Sequence, residues 1–84
     1  PTPRQSRTRI AVRANVKRSF SIAGHRTSVA MEPEFWDALE RLAASRNETL
    51  PKLIGAIDAI RPASQPLSSA LRVAALRNAQ KAGA

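Results

Sequence analysis

Polar and apolar side chains alternate from residue 26 to residue 31. Thr27, Val29 and Met31 fall on one side of an extended chain and Arg26, Ser28 and Ala30 on the other, because successive strand residues face opposite ways. Phe20 and Ile22, set between Ser19, Ser21 and Ala23, read as a second short strand. Gly24-His25 stands where a two-residue hairpin loop would, with Gly at the first central position of a type II′ turn. The pattern therefore allows a hairpin of 18–23 against 26–31; the alternative is an extended arm lying on a partner chain. The period then lengthens. Phe35, Leu39, Leu42 and Ala43 follow the i, i+4, i+7, i+8 stripe of a helix, with Trp36 beside it. This helix starts near Glu32 to Glu34, tolerates Pro33 in its first turn, and ends at Ser45-Arg46-Asn47. Thr49 caps a second helix whose apolar face is Leu50, Leu53, Ile54, Ile57 and Ile60. Arg61-Pro62-Ala63-Ser64-Gln65-Pro66 is a loop, after which Ser68 or Ser69 caps a third helix running to about Gln80.

A six-residue strand with no partner downstream is not stable alone in water. Its simplest partner is the same strand of a second copy, paired antiparallel about a two-fold axis. Thr27, Val29 and Met31 would then join Phe35, Trp36, Leu39, Leu53, Ile54 and Ile57 in a shared dimer core. Arg26, Ser28 and Ala30 of both chains would be displayed on a two-stranded ribbon, an element that fits a DNA major groove. Gly55, which costs about 1 kcal/mol relative to Ala inside a helix, would mark close helix approach at the dimer axis.

Eighty-four residues make one small domain. It divides into a disordered basic arm (1–16), a core domain (17–61), and a loop with a C-terminal helix packed on it (62–84). Cysteine is absent, so there is no disulfide framework and no thiolate metal site. No apolar run approaches a membrane span, and the chain reads as soluble, cytoplasmic and nucleoid-associated. The net charge of +8 is unevenly placed. Residues 1 to 31 carry Arg4, Arg7, Arg9, Arg13, Lys17, Arg18 and Arg26 and no acid, whereas residues 32 to 84 nearly balance. A basic arm beside a folded unit points to a polyanion, most simply nucleic acid. A merely solubilising tail and an anionic membrane surface are the weaker alternatives, the latter because the arm lacks aromatic anchors before Phe20.

A strand, then Pro33-Glu34-Phe35-Trp36 opening one helix and Thr49-Leu50 opening another, resembles the ribbon-helix-helix family of Arc and the methionine repressor. The string Ile22-Ala23-Gly24-His25-Arg26-Thr27-Ser28-Val29, with Ile57-Asp58 and Leu67-Ser68-Ser69-Ala70-Leu71-Arg72, is similar to a bacterial branch of that family. The resemblance implies a mostly helical homodimer with an intermolecular antiparallel ribbon, here extended by a C-terminal helix. It also implies that Arg26, Ser28 and Ala30 read bases, and that Thr49, Leu50 and Lys52 present the second helix's N-terminus to a phosphate. Pro51 departs from the pattern by removing one donor, and Ala30 by offering only a methyl group. Lys17, Arg18 and His25 are further candidate phosphate contacts beside the arm arginines.

One His, no Cys, no Tyr and six scattered acids supply no nucleophile–base pair and no metal cluster, so neither an enzyme nor a cofactor is expected. The expected partners are double-stranded DNA and a second copy, with scope for a higher assembly on DNA. The competing class is an interaction module, antitoxin-like or RNA- or ribosome-associated, using the basic arm or docking a protein on the C-terminal helix.

Overall fold

Period-two alternation becomes a hairpin, and each period-3.6 stripe becomes a helix. The computed structural model describes residues 15–83; the four arm arginines lie outside that range. Strand β1 (Val16–Ile22) pairs antiparallel with β2 (His25–Met31), and helices α1 (Pro33–Ser45), α2 (Leu50–Ile60) and α3 (Leu67–Gly83) follow. The strand β1 takes in Val16, the last residue of the expected arm.

The hairpin turns at Ala23-Gly24, not at Gly24-His25. Both central residues have positive φ, 53° and 82°, as a type I′ turn requires; Gly24 thus holds the second central position, and His25 is the first residue of β2. Either placement keeps Phe20 and Ile22 on the same face as Val29 and Met31, so the hydrophobic pattern cannot choose between them. The observed register pairs all of 16–22 with 25–31, from Ile22 opposite His25 to Val16 opposite Met31. That longer ladder offsets the strain of Ala23 in the left-handed region.

The three helices cover one face of the hairpin. Met31, Leu39, Leu53, Ile54 and Leu71 are fully buried and Trp36 nearly so. Six of the nine side chains expected between two copies (Val29, Met31, Trp36, Leu39, Leu53 and Ile54) are thus already closed over within one chain, while Thr27, Phe35 and Ile57 are half-buried. Trp36 ties the layers together: its indole N–H donates to the Val16 carbonyl at 2.8 Å, and its ring packs 5.8 Å from that of Phe20. The third helix supplies what two short helices lack, adding Leu67, Ala70, Leu71 and Ala75 to the core. It starts at Leu67, so Ser68 and Ser69 lie inside its first turn and do not cap it.

Helix ends follow their local chemistry. Asn47 adopts φ 56°, and the Asn47 and Glu48 amides donate to Ala44 and Ala43, a Schellman closure of α1. Thr49 Oγ1 accepts from the Lys52 amide at 3.3 Å. Thr49→Ala should cost about 1 kcal/mol of stability, read as a lower urea midpoint at unchanged slope. Arg72 donates twice to one Glu32 oxygen, at 3.0 and 3.2 Å, pinning α3 to the start of α1. Hydrogen bonding from its own backbone, then Arg72, hold the Glu32 carboxyl below the usual carboxylate range. Gly55 faces Ile22 of its own chain, where an added Cβ would sit 4.0 Å from the Ile22 methyl, an ordinary contact distance.

Candidate nucleic-acid interface

The face of the hairpin turned away from the helices is built by alternation alone. With Lys17 opposite Ala30, Ser19 opposite Ser28 and Ser21 opposite Arg26, it presents six exposed side chains. None is acidic and none is larger than alanine among the apolar types. Ser19 and Ser28 share a hydrogen bond across the strands, 2.8 Å between oxygens. Arg26 and Lys17 stand at opposite ends of the row, and neither pairs with an acid among the described residues. Such a surface offers donors, acceptors and two long cations to a partner of opposite charge, with no desolvated carboxylate to overcome.

The expected base-reading residues Arg26, Ser28 and Ala30 therefore share one exposed face. Lys17, expected as a phosphate contact, joins them. Arg18 does not: it points toward the helices, pairs with Glu40 at 2.7 Å and lies 4.9 Å over the Trp36 ring. Its guanidinium serves the domain's own packing. His25 is exposed at the turn end of β2, on the same side as Thr27. Ser19 and Ser21 belong to the displayed row as well, and their alternation with Phe20 and Ile22 was the signal for it.

At the start of α2 few amides remain for an anion. Lys52 N–H goes to the Thr49 side chain, Leu53 N–H to the Thr49 carbonyl, and Pro51 has none, which leaves Leu50 N–H together with the exposed Lys52 ammonium. At the other end of α2, Arg61 bonds Asp58 at 2.7 Å and the Gln65 carbonyl at 2.6 Å, fixing the loop into α3. An open cleft of about 350 Å³ lies there, lined by Ile57, Ile60, Pro62, Val73, Ala74 and Arg77 among others. No helix is long and apolar enough to cross a membrane among the described residues.

Residues 15–79 match the family model described as a ribbon-helix-helix domain. Among solved structures, the chain is similar to an uncharacterized protein from Bordetella pertussis Tohama I. The identity is 32% and the TM-score 0.68, over 84% of this chain and 62% of that one; the chain thus spans under two thirds of that protein's length. No curated protein sequence matches it.

Proposed function

Because the chain belongs to the ribbon-helix-helix domain family, whose members are usually DNA-binding transcription regulators, we propose that it is a homodimeric, sequence-reading DNA-binding protein. Its simplest role is transcriptional regulation at the nucleoid in the cytoplasm. The observation that carries this reading is the exposed row of Arg26, Ser28 and Ala30, mounted on a strand whose other face is packed on the core. Two chains would pair through the β2 edge not taken by β1, since β1 is the strand's sole hydrogen-bonded neighbour among the described residues. Arg26 takes guanine in the major groove, Ser28 bonds to several base edges, and Ala30 touches a thymine methyl. Lys17, His25, and Leu50 N–H with Lys52 behind the Thr49 cap take phosphates, as do Arg4, Arg7, Arg9 and Arg13 of the arm.

Arg26→Ala should cost about 1–3 kcal/mol on the preferred duplex while changing binding to random duplex far less. Competition gel-shifts on a site selected from random DNA measure it. Equal binding by variant and parent on both duplexes would remove the ribbon as reader. A second reading has its own observation: Ile60 is 83% exposed beside the cleft between α2 and α3, a place where a protein partner could dock. In that case Ile60→Asp would abolish the partner's binding and leave DNA affinity intact.

A further inference from the structure

We propose that the DNA-facing sheet of the dimer is four strands wide, with β1 as a flanking strand that grips the groove walls and the β2 pair as the part that enters the groove. This rests on the dimeric DNA-binding reading above and adds to it the job of the N-terminal strand. In this chain β2 already uses one edge for β1, along the full length of both strands. A second copy that pairs with β2 itself can do so only at its other edge, giving the order β1, β2, then the partner's β2 and β1. The midpoint of β2 is Ser28, and antiparallel pairing centred there overlaps all seven residues of each copy.

That register has consequences for the displayed face. Ser19, Ser28, the partner's Ser28 and the partner's Ser19 line up as one hydroxyl row, extending the Ser19–Ser28 hydrogen bond seen here. On each side of it Lys17 and Ala30 of one chain meet the partner's Arg26 and Ser21. Both ends of the sheet are then alike: a guanidinium on the central pair and an ammonium on the outer strand.

Width decides what each strand can do. Strands lie about 4.8 Å apart, so the outer two are roughly 14 Å from one another before side chains are counted. The major groove is about 12 Å wide and admits a two-stranded ribbon. The four strands therefore cannot enter together. Adjacent strands also rotate by roughly 20–25°, which turns each outer strand away from the groove direction and across the phosphate row. The central pair sits among base edges, and Lys17, Ser19 and Ser21 of the flanking strands meet sugar and phosphate. Small hydroxyls suit that position, because they donate to phosphate oxygens without holding the sheet off the backbone.

The test uses the full chain and a duplex selected from random DNA, with three measurements: affinity against salt, the mass of the complex, and footprinting of the sugar–phosphate backbone. In this arrangement two chains occupy each site. Lys17→Ala lowers the slope of log affinity against log salt by about two units, roughly 0.9 for each of two phosphates. Ser21→Glu weakens binding more than tenfold, and both variants keep the parental melting temperature and solution mass. Protection of phosphates on both walls of the contacted groove, lost with Lys17→Ala, completes the expected result. Parental affinity and slope in both variants, with Arg26→Ala still weakened, would overturn the role of β1 and leave the base-reading face standing. One chain per site would overturn the four-stranded sheet in favour of a single hairpin in the groove. Absence of duplex binding by the parent chain would overturn the underlying reading as well.

Discussion

Trp36→Ala should destabilise the fold by about 3–5 kcal/mol, the range for emptying a large aromatic site in a packed core. Small domains hold only about 5–15 kcal/mol in total, so a substantial part of the variant would be unfolded at room temperature if this chain lies near the lower end. Three losses coincide at this position. The ring is 1% exposed, and its removal opens a void between α1 and the hairpin that Phe20 and Leu39 cannot fill without moving. The Val16 carbonyl loses the indole donor that fastens the first residue of β1 to the helix layer. Arg18 loses the aromatic face it rests on, which leaves its pair with Glu40 as a half-exposed surface contact of little worth. Trp36→Phe keeps much of the volume and forfeits the N–H, and should fall well short of the alanine value. Urea unfolding followed by circular dichroism measures both. An alanine variant with the parental midpoint would show that α1 does not hold the hairpin through this residue.

Trp36 also marks what periodicity leaves open. The stripe of Phe35, Leu39, Leu42 and Ala43 begins at Phe35 and leaves Trp36 at its flank, both expected in the core, yet in the structure Trp36 is buried and Phe35 half-buried. Periodicity gives the helix face within about one residue's turn and leaves the choice between adjacent aromatics to what covers them. Here the cover is β1, and a strand folded back on β2 favours the side chain that reaches its backbone carbonyl. The two periods and the turn chemistry account for the three helices and the loop at 61–66 and allow the hairpin, because each depends on local alternation. Registers were beyond them. Ala23-Gly24 and Gly24-His25 preserve the same faces, and only the count of paired residues separates them. That Arg26, Ser28 and Ala30 share one exposed face follows from alternation alone, whereas the commitment of Arg18 to Glu40 joins residues 22 positions apart and leaves no trace in spacing. Burial of the expected interface within one chain has a similar origin. Composition shows that a short chain lacks core, but not that its own third helix and first strand will supply it.

DNA binding by this chain should be strongly salt-dependent, falling roughly 10³- to 10⁵-fold between about 50 and 200 mM monovalent salt if the dimer neutralises 6–10 phosphates. The charge distribution sets the expectation. Residues 1 to 31 hold seven of the 14 basic residues and none of the acids; of those seven, Arg26 is assigned to a base and Arg18 is paired with Glu40. Lys17 and the four arm arginines remain for phosphates, along with Lys52 at the start of α2. A dimer doubles that set to twelve cations, of which eight belong to the arms. Removing residues 1 to 14 spares β1 and the carbonyl that Trp36 holds, so the truncated chain keeps its hairpin. Its slope of log affinity against log salt should drop by up to about 7 units, close to one for each arm arginine that reaches a phosphate. The preference for one duplex over another should persist, because Arg26 and Ser28 remain in place. A slope unchanged by the deletion would exclude the arm from the contact and assign the electrostatics to the folded domain. A lost preference with the slope intact would instead move base recognition from the ribbon to the arm, where arginines reading a minor groove could supply it.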